Sequence, residues 1–292
     1  MPRPYSKKQL NIRSLKHLAL RLGISIEELQ EVAEQAETHY KTWREPKKNG
    51  GFRQISAPTR RLKRIQRAIH KLLMEIELPN CVHYGRIGRS NLTNARVHSG
   101  KKWVYGLDFR AFFPSISHHF VYNMFRHELN CTPVVSSILT RLCTFQGQVP
   151  QGGSMSTDIA NIVCRKLDKR LENLGLRYGI QYSIYCDDLN FSGHRIPRSF
   201  RKKVKEIVGQ YPFSLNPDKE SLSGRHRPQV VTGLTVNRKR PHVPRKKRRE
   251  WRKEKHIFEK HESGSLSETE RLNRQQRLRG KTAYLNYVNQ AF

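Results

Sequence analysis

Tyr185-Cys186-Asp187-Asp188 sets two carboxylates side by side between apolar runs. Tyr182 to Tyr185 reads as one β-strand and Leu189 to Ser192 as the next, so the Asp pair falls at the tip of a hairpin. Adjacent carboxylates repel each other, and a fold seldom accepts them at a strand turn without a cation to bind. Taken alone, Asp-Asp is more often a solvated turn. A third carboxylate shifts that balance: Asp108 ends another apolar strand, Trp103-Val104-Tyr105-Gly106-Leu107. Three Asp residues on two strands can hold hard divalent cations through oxygen ligands, with Mg²⁺ the natural candidate. Two such ions suit phosphoryl transfer, in which an attacking hydroxyl is activated and a leaving group stabilised.

The charge of the chain points the same way. Its 292 residues carry 56 Lys and Arg against 24 Asp and Glu, a net charge of +32. A polyanion is the leading partner for such an excess; an anionic membrane surface and plain solubility are the alternatives. No apolar run approaches the ~20 residues of a membrane span. Met1 to Tyr5 lacks the apolar core of a secretion signal, so a cytoplasmic location is expected. Cys81, Cys131, Cys143, Cys164 and Cys186 are widely spaced and show no zinc-ligand pattern, which fits reduced thiols. This length accommodates one large domain or two ordinary ones.

From Gln9 to Tyr40 the pattern predicts two helices, with Ser25-Ile26-Glu27-Glu28 as a capping box at the second. The short link between them resembles the turn of a helix-turn-helix, although a packing helix pair is the plainer reading. Tyr40 to Trp43 and Phe52 to Ile55 flank Asn49-Gly50, a hairpin signal, with Lys47 and Lys48 at the tip and Arg53 on the return strand. Helices are predicted over Arg60 to Glu77, Ser117 to Leu129, Val134 to Phe145, Ser154 to Leu174 and Pro197 to Gly209, and a strand over Gln229 to Asn237. Strands and helices alternate irregularly, which predicts an α+β fold with antiparallel hairpins. Composition changes at Arg238, where a dense basic run includes Arg245, Lys246, Lys247, Arg248, Arg249 and Arg252. With Trp251, Ile257 and Phe258 interleaved and a second amphipathic helix over Thr269 to Val288, residues 237–292 read as a helical module with a basic face along a nucleic-acid duplex.

Taken together, these motifs resemble those of reverse transcriptases, and among them the bacterial retron enzymes. Leu107-Asp108-Phe109-Arg110-Ala111-Phe112-Phe113 resembles the strand that bears the first metal-binding Asp. Val149-Pro150-Gln151-Gly152 resembles the turn that meets template and incoming nucleotide, Tyr185 to Asp188 the Y-x-D-D box, and Asn216-Pro217-Asp218-Lys219 the later lysine motif. Asn94-Ala95-Arg96-Val97-His98 matches the N-A-x-x-H signature of retron enzymes, and Val231-Thr232-Gly233 their V-T-G signature.

The resemblance implies a right-hand polymerase with fingers and palm over 41–236 and a basic helical thumb over 237–292, preceded by a helical segment over 1–40. Asp108, Asp187 and Asp188 would hold two Mg²⁺ ions, with Phe109 adding a backbone carbonyl. Lys47 and Arg53 would neutralise the triphosphate. Lys219 would protonate the pyrophosphate if its pKa is lowered, or neutralise charge. Phe113 would block a ribose 2′-OH and select dNTPs, with Gln151 and Gly152 close to nucleotide or template. Asn94, His98, Thr232, Gly233 and the basic run would bind RNA. The partners implied are a structured noncoding RNA, its RNA-linked DNA copy, and a separate effector protein in antiphage defence. Gly153-Ser154-Met155-Ser156-Thr157 departs from the family's Ala-Pro-x-Ser-Pro, so the loop entering the helix lacks two prolines. Rival readings are another defence-associated or group II intron-like reverse transcriptase, a catalytically silent RNA-binding scaffold, and a DNA-binding regulator that uses the N-terminal helix pair.

Overall fold

The computed structural model describes residues 8–47, 50–260 and 267–290. Lys48 and Asn49 of the expected hairpin tip, Met1 to Tyr5, and residues 261–266 and 291–292 of the expected thumb lie outside the described residues.

The chain opens with α1 (Leu15–Leu22) and α2 (Ile26–Glu34). Ser14 and Ser25 cap them by accepting from the backbone N–H of His17 and Glu28. The expected capping box is only half formed, because the Glu28 carboxylate turns away to Arg61 and Arg64. The hairpin β1 (Tyr40–Pro46) and β2 (Phe52–Pro58) follows, then α3 (Arg60–Leu73) and the short α4 (Asn91–Val97). Next come β3 (Trp103–Arg110), α5 (Phe112–Ser115), α6 (His118–Asn123) with a π-helical turn over Met124–Glu128, α7 (Pro133–Cys143) and α8 (Ser156–Tyr178). The hairpin β4 (Gln181–Tyr185) and β5 (Asp188–Gly193) leads to α9 (Arg198–Val208), β6 (Ser214–Leu215) and β7 (Ser221–Gly224). The chain then forms β8 (Val230–Val231), β9 (Leu234–Thr235), α10 (Arg245–Lys260) and α11 (Glu268–Gln290).

The central sheet is antiparallel throughout, as the α+β expectation requires. Strand β3 is its axis: β5 pairs along one edge, while β7 and β6 share the other. Helices α3, α7 and α8 pack together, α8 also lies against β4, and one large apolar core joins them to the sheet. The expected single strand from Gln229 to Asn237 is instead a tight hairpin. Thr232 (φ 43°) and Gly233 (φ 81°) take left-handed conformations at its turn, pairing Val231 with Leu234. This turn feeds a second apolar cluster in which Leu92 and Ala95 of α4 meet Val231, Leu234 and Val236, and also Val243 and Val288 of the C-terminal segment.

Candidate active site

Pairing register alone brings the carboxylates together. Asp108 stands directly opposite Asp188 on β3 and β5, and the Phe109 N–H donates to the Asp187 carbonyl at 3.0 Å, stapling the turn to β3. Cys186 makes that turn with φ 61°, a conformation unusual for a residue with a side chain. Asp108, Asp187 and Asp188 each place a carboxylate oxygen within 4.8 Å of the others. Burial, then the charges of Asp187 and Asp108, push the Asp188 carboxyl up to about 7. Burial and the charge of Asp108 also raise Asp187. A crowded, half-buried set of hard oxygen donors is what a divalent cation relieves, so the residues present fit one.

Lys219 completes the group. A 3₁₀ turn over Pro217–Lys219, held by Asn216, delivers its Nζ to both oxygens of Asp108 at 2.7 and 2.8 Å. Burial opposes the ammonium charge, but the hydrogen bond and charge of Asp108, with the charges of Asp187 and Asp188, outweigh it and raise the lysine pKa. The lowered pKa that proton donation asks of Lys219 is therefore not what this arrangement provides.

Phe109 buries its ring against Phe112 and Phe213, so its backbone alone faces the site chemistry. Phe112 is core, whereas Phe113 stays half-buried beside it. The Gln151 carbonyl accepts from Ser56 N–H at 2.8 Å, docking the loop onto β2. Gly152 follows at φ 124°, where a Cβ would meet the Ser56 carbonyl at 3.0 Å. The glycine is thus required by a neighbouring strand of the protein itself. Lys47 and Arg53 lie on the exposed β1–β2 hairpin, and Arg53 pairs with Glu45 at 2.9 Å.

Two expected RNA contacts need correction. Asn94 and His98 are fully buried and face no nucleic acid. The two ring nitrogens of His98 bond Ser183 Oγ (2.6 Å) and Ser192 Oγ (2.7 Å), one on each strand of the β4–β5 hairpin. Burial lowers its pKa to about 3, so the ring is neutral. At the other end of α4, Asn91 donates to Tyr284 Oη at 2.6 Å, while Thr232 Oγ1 donates to the Asn91 carbonyl at 2.9 Å. Thr232 and Gly233 are half-buried, and Lys247 Nζ would lie 3.4 Å from a Cβ at Gly233. Arg245, Lys246, Lys247, Arg248, Arg249 and Arg252 are all exposed on α10.

Tyr84 had no sequence signal. Its ring packs on Tyr185 at 4.9 Å, and its carbonyl accepts from Asn161 of α8, a partnership formed only by the tertiary fold.

Residues 45–236 match the family described as reverse transcriptase (RNA-dependent DNA polymerase). The chain belongs to the reverse transcriptase family. Its α+β architecture, with an antiparallel sheet bearing the carboxylates and a helical C-terminal part, is the right-hand polymerase fold of that family. Curated relatives of the chain are retron enzymes. The retron Se72 reverse transcriptase of Salmonella heidelberg is 34% identical over 248 residues, 82% of this chain and 65% of the relative. The retron Mx162 reverse transcriptase of Myxococcus xanthus is 34% identical over 259 residues, 77% of this chain and 53% of the relative. The retron Ec86 reverse transcriptase of Escherichia coli is 29% identical over 272 residues, 89% of this chain and 82% of the relative. The chain thus spans less than two thirds of the length of the first two.

Proposed function

We propose that this chain is a retron-type RNA-directed DNA polymerase that copies part of a structured noncoding RNA into RNA-linked single-stranded DNA. The observation that carries this reading is the cluster of Asp108, Asp187 and Asp188 at the β4–β5 turn and the facing end of β3, in a chain of the reverse transcriptase family. Asp108, Asp187 and Asp188 would hold two Mg²⁺ ions, and Phe109 would offer its backbone carbonyl. When bound, the ions lower the pKa of the primer hydroxyl and stabilise charge on the transferred phosphorus and the leaving pyrophosphate. Lys219 stands ready as a charged neutraliser beside Asp108. Phe113 would close the sugar pocket, with Gln151 and Gly152 lining the nucleotide and template side. Lys47 and Arg53 would meet the triphosphate, Arg53 after leaving Glu45.

In this reading 41–236 form fingers and palm and 237–292 the thumb, whose exposed α10 cations, with Thr232 and Gly233, would follow the RNA. The protein would work in the cytoplasm, beside a separate effector protein in antiphage defence. Among the described residues no helix is long and apolar enough to cross a membrane.

The deciding experiment sequences the nucleic acid that co-purifies with wild type and with Asp187→Ala. One DNA species joined to one RNA is expected from wild type. The variant should keep the RNA and lose the DNA, with synthesis down by more than about a hundredfold. Normal DNA synthesis by the variant would remove the metal-site assignment. RNA alone in both samples would favour a scaffold.

A further inference from the structure

Helix α3 carries a second charged surface that the carboxylate site does not use. Its sequence, Arg-Arg-Leu-Lys-Arg-Ile-Gln-Arg-Ala-Ile-His-Lys-Leu-Leu, contains no acid. The inner face buries Leu62, Ile65, Gln66, Ile69, Leu72 and Leu73 against α7, α8 and the N-terminal helices. The outer face leaves Arg60, Lys63, Arg67 and Lys71 exposed, in one row along the axis. From Arg60 to Lys71 the row runs about 16 Å at the rise of an α-helix.

Three neighbouring cations are already matched, whereas exposed Lys41 of β1, which also lines this surface, has no acidic partner among the described residues. Arg61 pairs with Glu31 at 2.6 Å, Arg64 with Glu28, and Arg21 with Glu75 at 2.8 Å. Of these residues Arg21, Arg61, Arg64 and Glu75 line a groove of about 1500 Å³ beside α1 and α3. Arg60, Lys63, Arg67 and Lys71 have no acidic partner among the described residues, and all four line the groove. No aromatic residue lines it, and it shares no residue with the carboxylate cluster.

We propose that this face docks a base-paired stem of RNA through its phosphate backbone. This rests on the polymerase reading only in taking RNA as the partner. A rigid row of unpaired cations complements a regular line of phosphates. The absence of any stacking platform disfavours a single strand, whose non-specific binding draws on aromatic faces. Duplex RNA is instead held by shape and by phosphate and 2′-OH contacts. The groove would therefore anchor a helical part of the RNA away from the carboxylates.

The test uses the full chain and two probes of arbitrary sequence, a duplex RNA of about 16 base pairs and a single strand of equal length. Binding is measured over a salt series for wild type and for a variant carrying Arg60→Gln, Lys63→Gln, Arg67→Gln and Lys71→Gln. For the duplex, the slope of log K against log salt should become shallower by about 3 to 4, near 0.9 for each phosphate that a removed cation had neutralised. Single-strand binding should change little. The converse variant, Glu28→Gln with Glu31→Gln, releases Arg61 and Arg64 into the row and should steepen the duplex slope. If the fourfold variant does not fold, this second variant and Arg67→Glu alone decide. An unchanged duplex slope, or an equal change with both probes, overturns the proposal. DNA synthesis on a primed RNA is scored separately with wild type. Its failure would remove the polymerase reading and leave the binding comparison intact.

Discussion

Phe112 and Phe113 are adjacent, yet one is core and the other half-open beside the first Asp strand. Two identical rings carry no chemical signal of which one is buried; it is the resemblance that gives Phe113 the role of blocking a ribose 2′-OH. Phe113→Ala should therefore raise ribonucleotide incorporation relative to deoxyribonucleotide by at least about tenfold, the scale of a small steric contact. Unchanged sugar selection in single-nucleotide extension would remove the gate role. The three carboxylates were legible, because strand periodicity alone put them at strand ends. Asn94 and His98 were not. A motif match identifies which residues are used but not whether they face solvent, and both are buried where no periodicity reports depth.

At the scale of elements, α4 explains what the buried histidine does. His98 holds Ser183 and Ser192, so the two strands of the hairpin that presents Asp187 and Asp188 are tied together by one ring. His98→Ala would strip two buried hydroxyls of their partner, at about 1–3 kcal/mol each. The neutral ring also sets a pH dependence. Its pKa falls from 6.5 unfolded to about 3 folded, chiefly through burial, so below pH 6.5 the unfolded chain binds the extra proton. Stability should decline as pH is lowered from 6.5 towards 3, and the decline should be shallower in His98→Asn. Parallel melting curves for the two proteins would exclude this coupling. The β8–β9 hairpin escaped prediction because its turn is Thr232-Gly233, and a threonine at positive φ gives no turn signal. The extended strand expected there was the default for its apolar, β-branched composition.

At the scale of the whole molecule, the change in composition at Arg238 marks a change in surface but no break in packing. Val243 and Val288 share a cluster with Leu92, Val104 and Val231, and Tyr284 and Trp251 pack against it. The C-terminal helices therefore pack onto α4 and the β8–β9 hairpin through one apolar cluster that spans the 236/237 position. The exposed cations of α10 are free of that constraint. Charge reversal at Arg248 and Arg249 should leave the melting temperature unchanged within about 2 °C, because surface substitutions rarely matter to stability. It should weaken RNA retention and flatten its salt dependence. Unaltered retention would make the basic helix a solvated face. The ion pair between Lys219 and Asp108 has a consequence at this same scale. A site with its own internal counter-ion does not need an external one in order to fold. The chain should therefore still fold after chelation, and added Mg²⁺ should raise its melting temperature only modestly, as expected for an ion that binds the folded state alone. In Lys219→Ala the rise with Mg²⁺ should be larger than in wild type, because the carboxylates then have no counter-ion of their own; an equal rise in both proteins would remove this role for the lysine.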